Sequence, residues 1–315
     1  MDSIFIKSHG KLYIESGNLV FIDINKKKTV IPIKNIKDIH ILGKVSLTSG
    51  AIRTLLINRI PVHFYSKNSY YIGSLFPRGF SGRIIVKQVE KYNDYNLRLY
   101  ISKQIIEACK VNFYEIFRRK TEEAKKFLEV TVYDALNVNQ VMGKESQIFL
   151  IAYELFDKIS KFKIVERTRR PPKNEANALL SFLNSLLYGL ILTEIYKKGL
   201  LPTISYLHEP SDDRPSLALD IAEIFKPIFS FRLMLRLFNL GILNENHFMK
   251  EKDGVYLNDI GKEIVLNEII KYLDKKIRIK EVGSRTLKFS IGYQVKKLKE
   301  FIEDKSSILR TVKVF

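Results

Sequence analysis

The hydrophobic pattern of this chain changes once, close to residue 80, and the change separates two kinds of predicted structure. Before it, short segments rich in Ile, Val, Tyr and Phe alternate partly between apolar and polar residues, which is typical of β-strands. These segments are IFIKS, KLYIES, NLVFIDI, TVIPI, DIHIL and PVHFYS. One helix is predicted among them at residues 49–58, with Thr48 or Ser49 as its N-cap. Residues 1–76 are therefore predicted to form a β-rich domain.

Residues 77–83, PRGFSGR, have the glycine and proline content of a linker. From residue 84 onward, apolar residues recur at spacings of three and four, which predicts helices. One predicted helix begins at Thr121, TEEAKKFLEVTVYDALN, and two basic ones lie near the C-terminus, DIGKEIVLNEIIKYLDKKI and YQVKKLKEFIEDKSSIL. The predicted fold class is α+β, with a small β-rich N-terminal domain followed by a larger all-α domain over residues 84–315.

The chain carries 53 Lys and Arg against 34 Asp and Glu, a formal net charge of +19. Such an excess favours a polyanionic partner, most commonly nucleic acid, although a Lys-rich thermophilic proteome could supply part of it. A membrane surface is the competing partner, but the basic residues are spread along the chain. Residues 179–195 are the most apolar segment, and polar residues interrupt them. They predict a buried helix and no membrane span.

The histidines and the single cysteine of the chain carry less information. Cys109 excludes an internal disulfide and a thiolate zinc site, fits a reducing cytoplasm, and is predicted to fill the core. His40 and His63 fall inside strand patterns and are predicted to pack there, and His247 is predicted to be a loop or packing residue.

Residues 208–227, HEPSDDRPSLALDIAEIFKP, combine a histidine, a loop and a helix that Pro215 or Ser216 would open. Asp220 and Glu223 are three residues apart, so their Cβ atoms would be about 5–6 Å apart on one face. Two carboxylates about 4 Å apart at an effective dielectric of about 20 repel by about 4 kcal/mol. A cation between them, or a proton on one of them, removes this repulsion. The alternative is an amphipathic helix with two acids at its solvated edge.

Glu145 lies on the apolar stripe of a predicted helix, MGKESQIFLIAYELF, where an ionised carboxylate needs a partner. The partner is either an arginine or a metal ion shared with His208 and Asp220. The candidate arginines are Arg167, Arg169 and Arg170. These three precede the N-terminus of a predicted helix that begins near Asn174, so they also form a candidate phosphate site.

Four segments together resemble the CRISPR-associated protein 1 family, the metal-dependent endonuclease and integrase of spacer acquisition. They are IHILGKVSLTSGAIRTLLINRIPVHFYS, MGKESQIFLIAY, RTRRPPKNEANALLSFLNSLLYG and HEPSDDRPSLALDIAEIFKP, and they occur in the family's order over almost the whole chain. The resemblance implies a β-rich domain that pairs across a homodimer and a helical catalytic domain. It implies a divalent ion held by Glu145, His208 and Asp220, with Glu223 as a further catalytic acid. Ser146 stands where the family pattern has glycine.

Two carboxylates and one imidazole suit Mn²⁺ or Mg²⁺ and leave positions open for water and phosphate oxygens. The resemblance therefore implies insertion of new spacer DNA into a CRISPR array by direct attack of a 3′-hydroxyl on a phosphodiester. Its expected partners are double-stranded DNA, a second copy of the chain, and the second CRISPR-associated adaptation protein, a small ferredoxin-like dimer. Two alternatives remain open: a standalone metal-dependent nuclease that acts on branched DNA in repair, and a non-catalytic DNA-binding scaffold with structural acids.

Overall fold

The computed structural model describes residues 2–212 and 214–315, and the chain divides into two compact units, Met1–Gly79 and Phe80–Phe315. The first unit is rich in strands and the second is mainly helical, as the hydrophobic pattern predicts. The division between the units falls inside the segment 77–83.

The N-terminal unit contains two four-stranded sheets. Its strands are β1 (Asp2–Ile6), β2 (Gly10–Glu15), β3 (Asn18–Asp23), β4 (Lys28–Ile31), β5 (Ile36–Ile41), β6 (Val45–Leu47), β7 (Val62–Tyr65) and β8 (Tyr71–Leu75). Sheet I has the order β1-β5-β7-β8, with β8 antiparallel to its neighbour, and sheet II has the order β4-β3-β2-β6. Helix α1 (Ser49–Ile57) lies between β6 and β7 in sequence. Thr48 caps it by accepting a hydrogen bond from the amide of Ala51 at 3.2 Å, which confirms the predicted start.

Alternation along the strands of sheet I gives its two faces different chemistry. Ile39, Ile41 and Val62 belong to the hydrophobic core of the unit. His40 and His63 point to the opposite face because they are the next residues along each strand. Both are fully buried, as predicted for packing residues, but their surroundings are polar as well as apolar.

The second unit contains nine α-helices and four short strands among its described residues. Its helices are α2 (Gly82–Asn93), α3 (Tyr95–Phe117), α4 (Lys126–Glu129), α5 (Val138–Ile159), α6 (Glu175–Lys197), α7 (Ser216–Lys226), α8 (Arg232–Asn239), α9 (Asp259–Leu273) and α10 (Leu287–Ile302). Its strands form two antiparallel pairs, β9 (Phe248–Lys250) with β10 (Val255–Leu257), and β11 (Lys276–Ile279) with β12 (Gly283–Thr286).

The prediction of an all-α second domain is wrong at these two hairpins. In β11 the pattern Lys-Ile-Arg-Ile has a period of two, with Ile277 and Ile279 buried and Lys276 and Arg278 exposed. The helix predicted at residues 259–277 therefore ends at Leu273. The turn before β12 is also helix-breaking, because Gly283 adopts a positive φ of 72°.

The helix predicted to start at Thr121 is much shorter than its pattern suggested. Thr121 does cap a 3₁₀ turn by accepting from the amide of Glu123, and α4 adds a single further turn. Val130 then adopts extended backbone. The run Val130, Thr131 and Val132 is β-branched, and β-branched side chains lose rotamer freedom in a helix.

Helix α6 is the central element of the second unit. Asn174 caps it by accepting from the amide of Asn177 at 2.9 Å, and Gly199 follows its end with a positive φ of 76°. By length and composition it could cross a membrane, but 83% of its most apolar window is buried inside the protein. Its apolar surface is therefore used by the core, as predicted for residues 179–195.

Helix α7 begins at Ser216, as predicted, and its regular α-helical part ends at Lys226, directly before Pro227. A π-helical turn at Pro227–Phe231 carries the chain directly into α8. The hydroxyl of Tyr272 donates to the carbonyl of Ile228 at 2.8 Å, and Ser230 donates to Asn184 Oδ1 at 2.6 Å. These side chains satisfy polar groups at a place where regular α-helical hydrogen bonding is interrupted.

Asn112 of α3 connects α7 to the C-terminal residues. Its buried amide group donates to the carbonyls of Ile224 and Val312 at 2.9 and 3.0 Å, and its oxygen accepts from the amide of Val314 at 2.9 Å. Because each buried polar group left without a partner costs about 1–3 kcal/mol, this one side chain stabilises three separate backbone groups.

We expect Asn112→Ala to lower the free energy of unfolding by at least about 2 kcal/mol, because two carbonyls and one amide lose their partner. Urea unfolding followed by circular dichroism measures this. Asn96→Ala, at an exposed position of the same helix, is the matched control and should change it little. Equal stability of the two variants would contradict the anchoring role of Asn112.

Candidate active site

Three segments that are remote in sequence bring potential metal ligands together. Glu145 comes from α5, His208 from the loop before α7, and Glu223 from α7 itself. One ligand atom from each lies within 4.8 Å of the other two. Glu223 is buried, while Glu145 and His208 are partly buried, so the cluster is only partly shielded from solvent.

Asp220 lies behind His208 and organises the loop that carries it. Its Oδ2 accepts from the amides of Tyr206 and Leu207 at 2.6 and 3.0 Å, and its Oδ1 accepts from the amide of His208 at 3.0 Å. Asp220 is completely buried, and these three backbone donors compensate for its desolvation.

Asp220 also fixes the orientation of the His208 ring. His208 Nδ1 lies 2.8 Å from Asp220 Oδ1. An ionised carboxylate only accepts hydrogen bonds, so Nδ1 carries a proton, and in the neutral ring Nε2 keeps a lone pair for a metal ion. Burial alone would lower the pKa of His208, but the hydrogen bond to Asp220 and its negative charge raise the pKa above its usual value.

Glu223 is held from one side by Lys226, one helical turn later. Lys226 Nζ donates to Glu223 Oε1 at 2.5 Å and lies 5.1 Å from the ring centre of Phe149. Burial opposes the charge of Lys226, but Glu223 more than compensates and raises the pKa of the ammonium. Glu223 Oε2 is buried and has no hydrogen-bond partner in the described part of the chain, which leaves it for a cation.

Glu145 is the ligand whose charge is most strongly affected by its surroundings. Burial, followed by the negative charge of Glu223, raises the pKa of Glu145 to about 7. The carboxylate is thus close to half protonated at neutral pH when no cation is bound. A divalent ion between the two glutamates would reverse this repulsion and favour the ionised form.

The three arginines lie at different positions relative to this cluster. Arg167 is anchored on α6, where it donates to Asn177 Oδ1 at 2.9 Å and to Ser181 Oγ at 3.0 Å. Arg169 and Arg170 are exposed. The charge of Arg169 lowers the pKa of Glu145, although less than burial and Glu223 raise it. The charge of Arg169 therefore acts on the carboxylate of Glu145.

The residues present fit a hard divalent cation. They offer one oxygen each from Glu145 and Glu223 and one nitrogen from His208, and three protein ligands leave coordination positions for water and phosphate oxygens. This set differs from the one predicted from sequence, in which Asp220 was the third ligand. Both oxygens of Asp220 are occupied by hydrogen bonds and turned to the loop, so we assign its place to Glu223.

Lys226 is a site residue that the sequence reasoning missed. Its spacing of three from Glu223 was a usable signal, because residues three apart on a helix lie on one face. The predicted helix also contained it, so only its role was overlooked.

A family model described as "CRISPR associated protein Cas1" matches residues 4–271 of this chain. A curated relative from Nanoarchaeum equitans, named CRISPR-associated endonuclease Cas1, is 44% identical to it, and the match covers 96% of this chain and 97% of the relative. A relative of the same name from Methanocaldococcus jannaschii is 41% identical, with 91% of this chain and 90% of the relative covered.

The fold is also shared with solved structures. The structure of a CAS1 protein from Thermotoga maritima superposes with a TM-score of 0.85 at 34% identity, covering 96% of this chain and 97% of that one. A casposase bound to an integration product gives a TM-score of 0.84 at 23% identity, covering 98% of this chain and 92% of that one. At that identity the casposase shows a common fold.

We expect Glu145→Gln to stabilise the metal-free protein at alkaline pH. Because the folded-state pKa of about 7 lies above the ordinary value of 4.5, the folded protein binds more protons than the unfolded chain between these values. The stability of the parent therefore falls as pH rises through this window, and glutamine removes the fall. With a chelator present, thermal unfolding should give Glu145→Gln a higher Tm than the parent at about pH 8 but little advantage at about pH 5.

Glu154→Gln, on an exposed position of the same helix, is the matched control and should not show this pH-dependent gain. With Mn²⁺ added, the order should reverse, because only the parent keeps all three ligands. A lower Tm for Glu145→Gln than for the parent at alkaline pH in chelator would contradict the repulsion between the two glutamates.

Proposed function

Because this chain belongs to the Cas1 family of CRISPR-associated proteins, we propose that it is a divalent-metal-dependent DNA endonuclease and integrase. In this proposal it inserts new spacer DNA into a CRISPR array by attack of a 3′-hydroxyl on a phosphodiester. The main observation behind this proposal is that Glu145, His208 and Glu223 cluster together. In addition, Glu223 Oε2 is buried and has no hydrogen-bond partner among the described residues.

A Mn²⁺ or Mg²⁺ ion held by these three side chains would polarise the scissile phosphate and lower the pKa of the attacking hydroxyl. In this proposal Asp220 does not bind the metal. It orients His208, because its hydrogen bond to Nδ1 leaves Nε2 for the metal. Lys226 neutralises one oxygen of Glu223 and so limits the negative charge that an incoming phosphate meets. No nucleophilic side chain is needed for in-line displacement, so we propose direct transesterification.

Substrate binding rests on the basic character of the chain. Its net charge of +19 favours duplex DNA, and the exposed Arg169 and Arg170 lie in sequence beside the anchored Arg167. A guanidinium can hold two oxygens of one phosphate, which suits it to positioning a DNA backbone near the carboxylates. We propose Arg169 and Arg170 as phosphate contacts and Arg167 as the residue that fixes their segment on α6.

Family membership supports the proposed assembly. We propose that the N-terminal unit pairs with that of a second copy, and that the dimer works with the second adaptation protein, a small ferredoxin-like dimer. Such an assembly presents two active sites to the two ends of one DNA fragment. The proposed location is the cytoplasm, where DNA is accessible.

Strand transfer and hydrolysis can be separated in one assay. A labelled duplex with free 3′-hydroxyl ends is incubated with a plasmid that carries a CRISPR array, with the second adaptation protein and Mn²⁺. Covalent transfer of label to the plasmid supports the integrase. Nicking without transfer would support the standalone nuclease instead, and neither product would leave only a DNA-binding scaffold.

We expect Glu223→Gln to abolish strand transfer, because the buried Oε2 is replaced by a group that cannot carry the negative charge. Asp220→Asn should act through His208 and weaken Mn²⁺ affinity by about 10–100-fold, partly recovered at high Mn²⁺ concentration. Glu154→Gln again serves as the control. Full activity of Glu223→Gln would rule out the assigned ligand set.

We expect Arg169→Ala and Arg170→Ala to weaken DNA binding for all sequences alike. If each contacts one phosphate, each variant should reduce the slope of log affinity against log salt by about 1. Filter binding or fluorescence anisotropy over a salt series measures the slope. Lys28→Ala, at a lysine already paired with Glu15 at 2.9 Å, is the control and should leave it unchanged.

A further inference from the structure

A second group of ligating side chains lies in the N-terminal unit, on the face of sheet I opposite its hydrophobic core. Strand register places four residues in one row across the sheet: Phe5 opposite His40, His40 opposite His63, and His63 opposite Ser74. Asp38 precedes His40 by two residues on β5 and so faces the same side. One ligand atom each from Asp38, His40 and His63 lies within 4.8 Å of the other two.

The two imidazole rings are oriented by hydroxyl groups. Nδ1 of His40 lies 2.8 Å from the hydroxyl of Tyr65, and Nδ1 of His63 lies 2.7 Å from that of Ser74. Metal-binding histidines are usually held in this way, with the ring N–H donating to an oxygen so that the other nitrogen can coordinate. His40 also stacks on Phe5 with ring centres 4.7 Å apart, which fixes its plane.

Three of the polar atoms in this group, from Asp38 and His40, lack a hydrogen bond within the described part of the chain. Neither oxygen of Asp38, nor Nε2 of His40, has a hydrogen-bond partner among residues 2–212 and 214–315. Asp38 Oδ1 and His40 Nε2 are 3.2 Å apart, yet their alignment is not that of a hydrogen bond. All three side chains are completely buried. A buried carboxylate without a hydrogen bond costs several kcal/mol unless a positive charge lies beside it, and either a proton on His40 or a bound cation supplies that charge.

We propose that Asp38, His40 and His63 form a structural metal site that binds a borderline transition-metal cation, Zn²⁺ being the best match. Bonds of about 2.0–2.1 Å in a tetrahedral site place ligand atoms about 3.3 Å apart, close to the separation of Asp38 Oδ1 and His40 Nε2. A cation between these atoms explains why they approach without hydrogen-bond alignment.

The donor set distinguishes this site from the candidate active site. Two imidazoles and one carboxylate favour Zn²⁺ over Mg²⁺ or Ca²⁺, which prefer oxygen ligands. The candidate active site has the opposite balance, with two carboxylates and one imidazole. The two sites should therefore select different ions, and the N-terminal site does not depend on the proposed function.

Bound Zn²⁺ would join β5 to β7 through side chains, in addition to their backbone hydrogen bonds. Parallel pairing of this kind has no connecting turn to set its register, and a metal bridge between His40 and His63 supplies that constraint. The metal would stabilise the pairing of β5 with β7 and take no part in the reaction.

The test uses the full chain carrying Glu145→Gln and Glu223→Gln, so that the candidate active site lacks two of its three ligands. The protein is incubated with excess Zn²⁺, freed of loosely held metal by gel filtration, and analysed for metal by mass spectrometry. We expect about one Zn²⁺ per chain, and a lower Tm once the ion is removed by a strong chelator. A chain that retains no zinc overturns the proposal.

Adding Asp38→Asn to this protein should abolish zinc retention, because a neutral amide replaces the ionised ligand. His9→Asn, at an exposed histidine of the same unit, is the matched control and should retain the ion. Equal zinc content in the two variants would also overturn the proposal.

If Asp38→Asn fails to fold, X-ray absorption at the zinc edge identifies the zinc ligands without a further substitution. The protein with Glu145→Gln and Glu223→Gln should show nitrogen and oxygen neighbours with the outer-shell pattern of two imidazoles. A pattern of one imidazole, or of none, would place the ion elsewhere and refute the site.

Discussion

The buried carboxylate of Asp220 is the interaction on which the candidate active site depends. It accepts four hydrogen bonds, three from consecutive backbone amides and one from the ring of His208. This carboxylate therefore ties three amides of the loop before α7 to one point, and His208 clusters with Glu145 and Glu223. Without this carboxylate, three buried amides would lose their acceptor and the imidazole would lose its orientation.

Beside this histidine, the carboxylates of Glu145 and Glu223 repel each other, and a bound cation would remove the repulsion. Glu145 and Glu223 are close enough for one to raise the pKa of the other, and Lys226 offsets only part of their charge. A scaffold protein would gain stability by replacing one of the two glutamates with a neutral residue. Functional sites commonly retain such local conflicts, because the energy is recovered when ligand binds.

The hydrophobic period, together with the capping residues, predicted the two-part fold and the starts of α1, α6 and α7, since long periodic elements and caps are local signals. It could not distinguish Asp220 from Glu223, because both lie on the buried side of α7 and only the path of the preceding loop decides which one faces Glu145. The sequence also could not predict that His40 and His63 lie side by side, because the register of parallel strands depends on contacts between distant segments. The hairpins β9–β10 and β11–β12 were missed because strands of three or four residues are too short for their pattern to be told from the helical pattern beside them.

The π-helical turn at Pro227–Phe231 constrains the number of residues in this segment. Each residue in an α-helix advances by about 100° around the axis, so an extra residue accommodated in a wider turn sets the angular phase of everything that follows. Losing one residue here would rotate α8 relative to α7 and move Ile228 and Ser230 away from Tyr272 and Asn184. Insertions and deletions that a surface loop would absorb should therefore be excluded from residues 216–239, where α7 continues through the π-helical turn directly into α8.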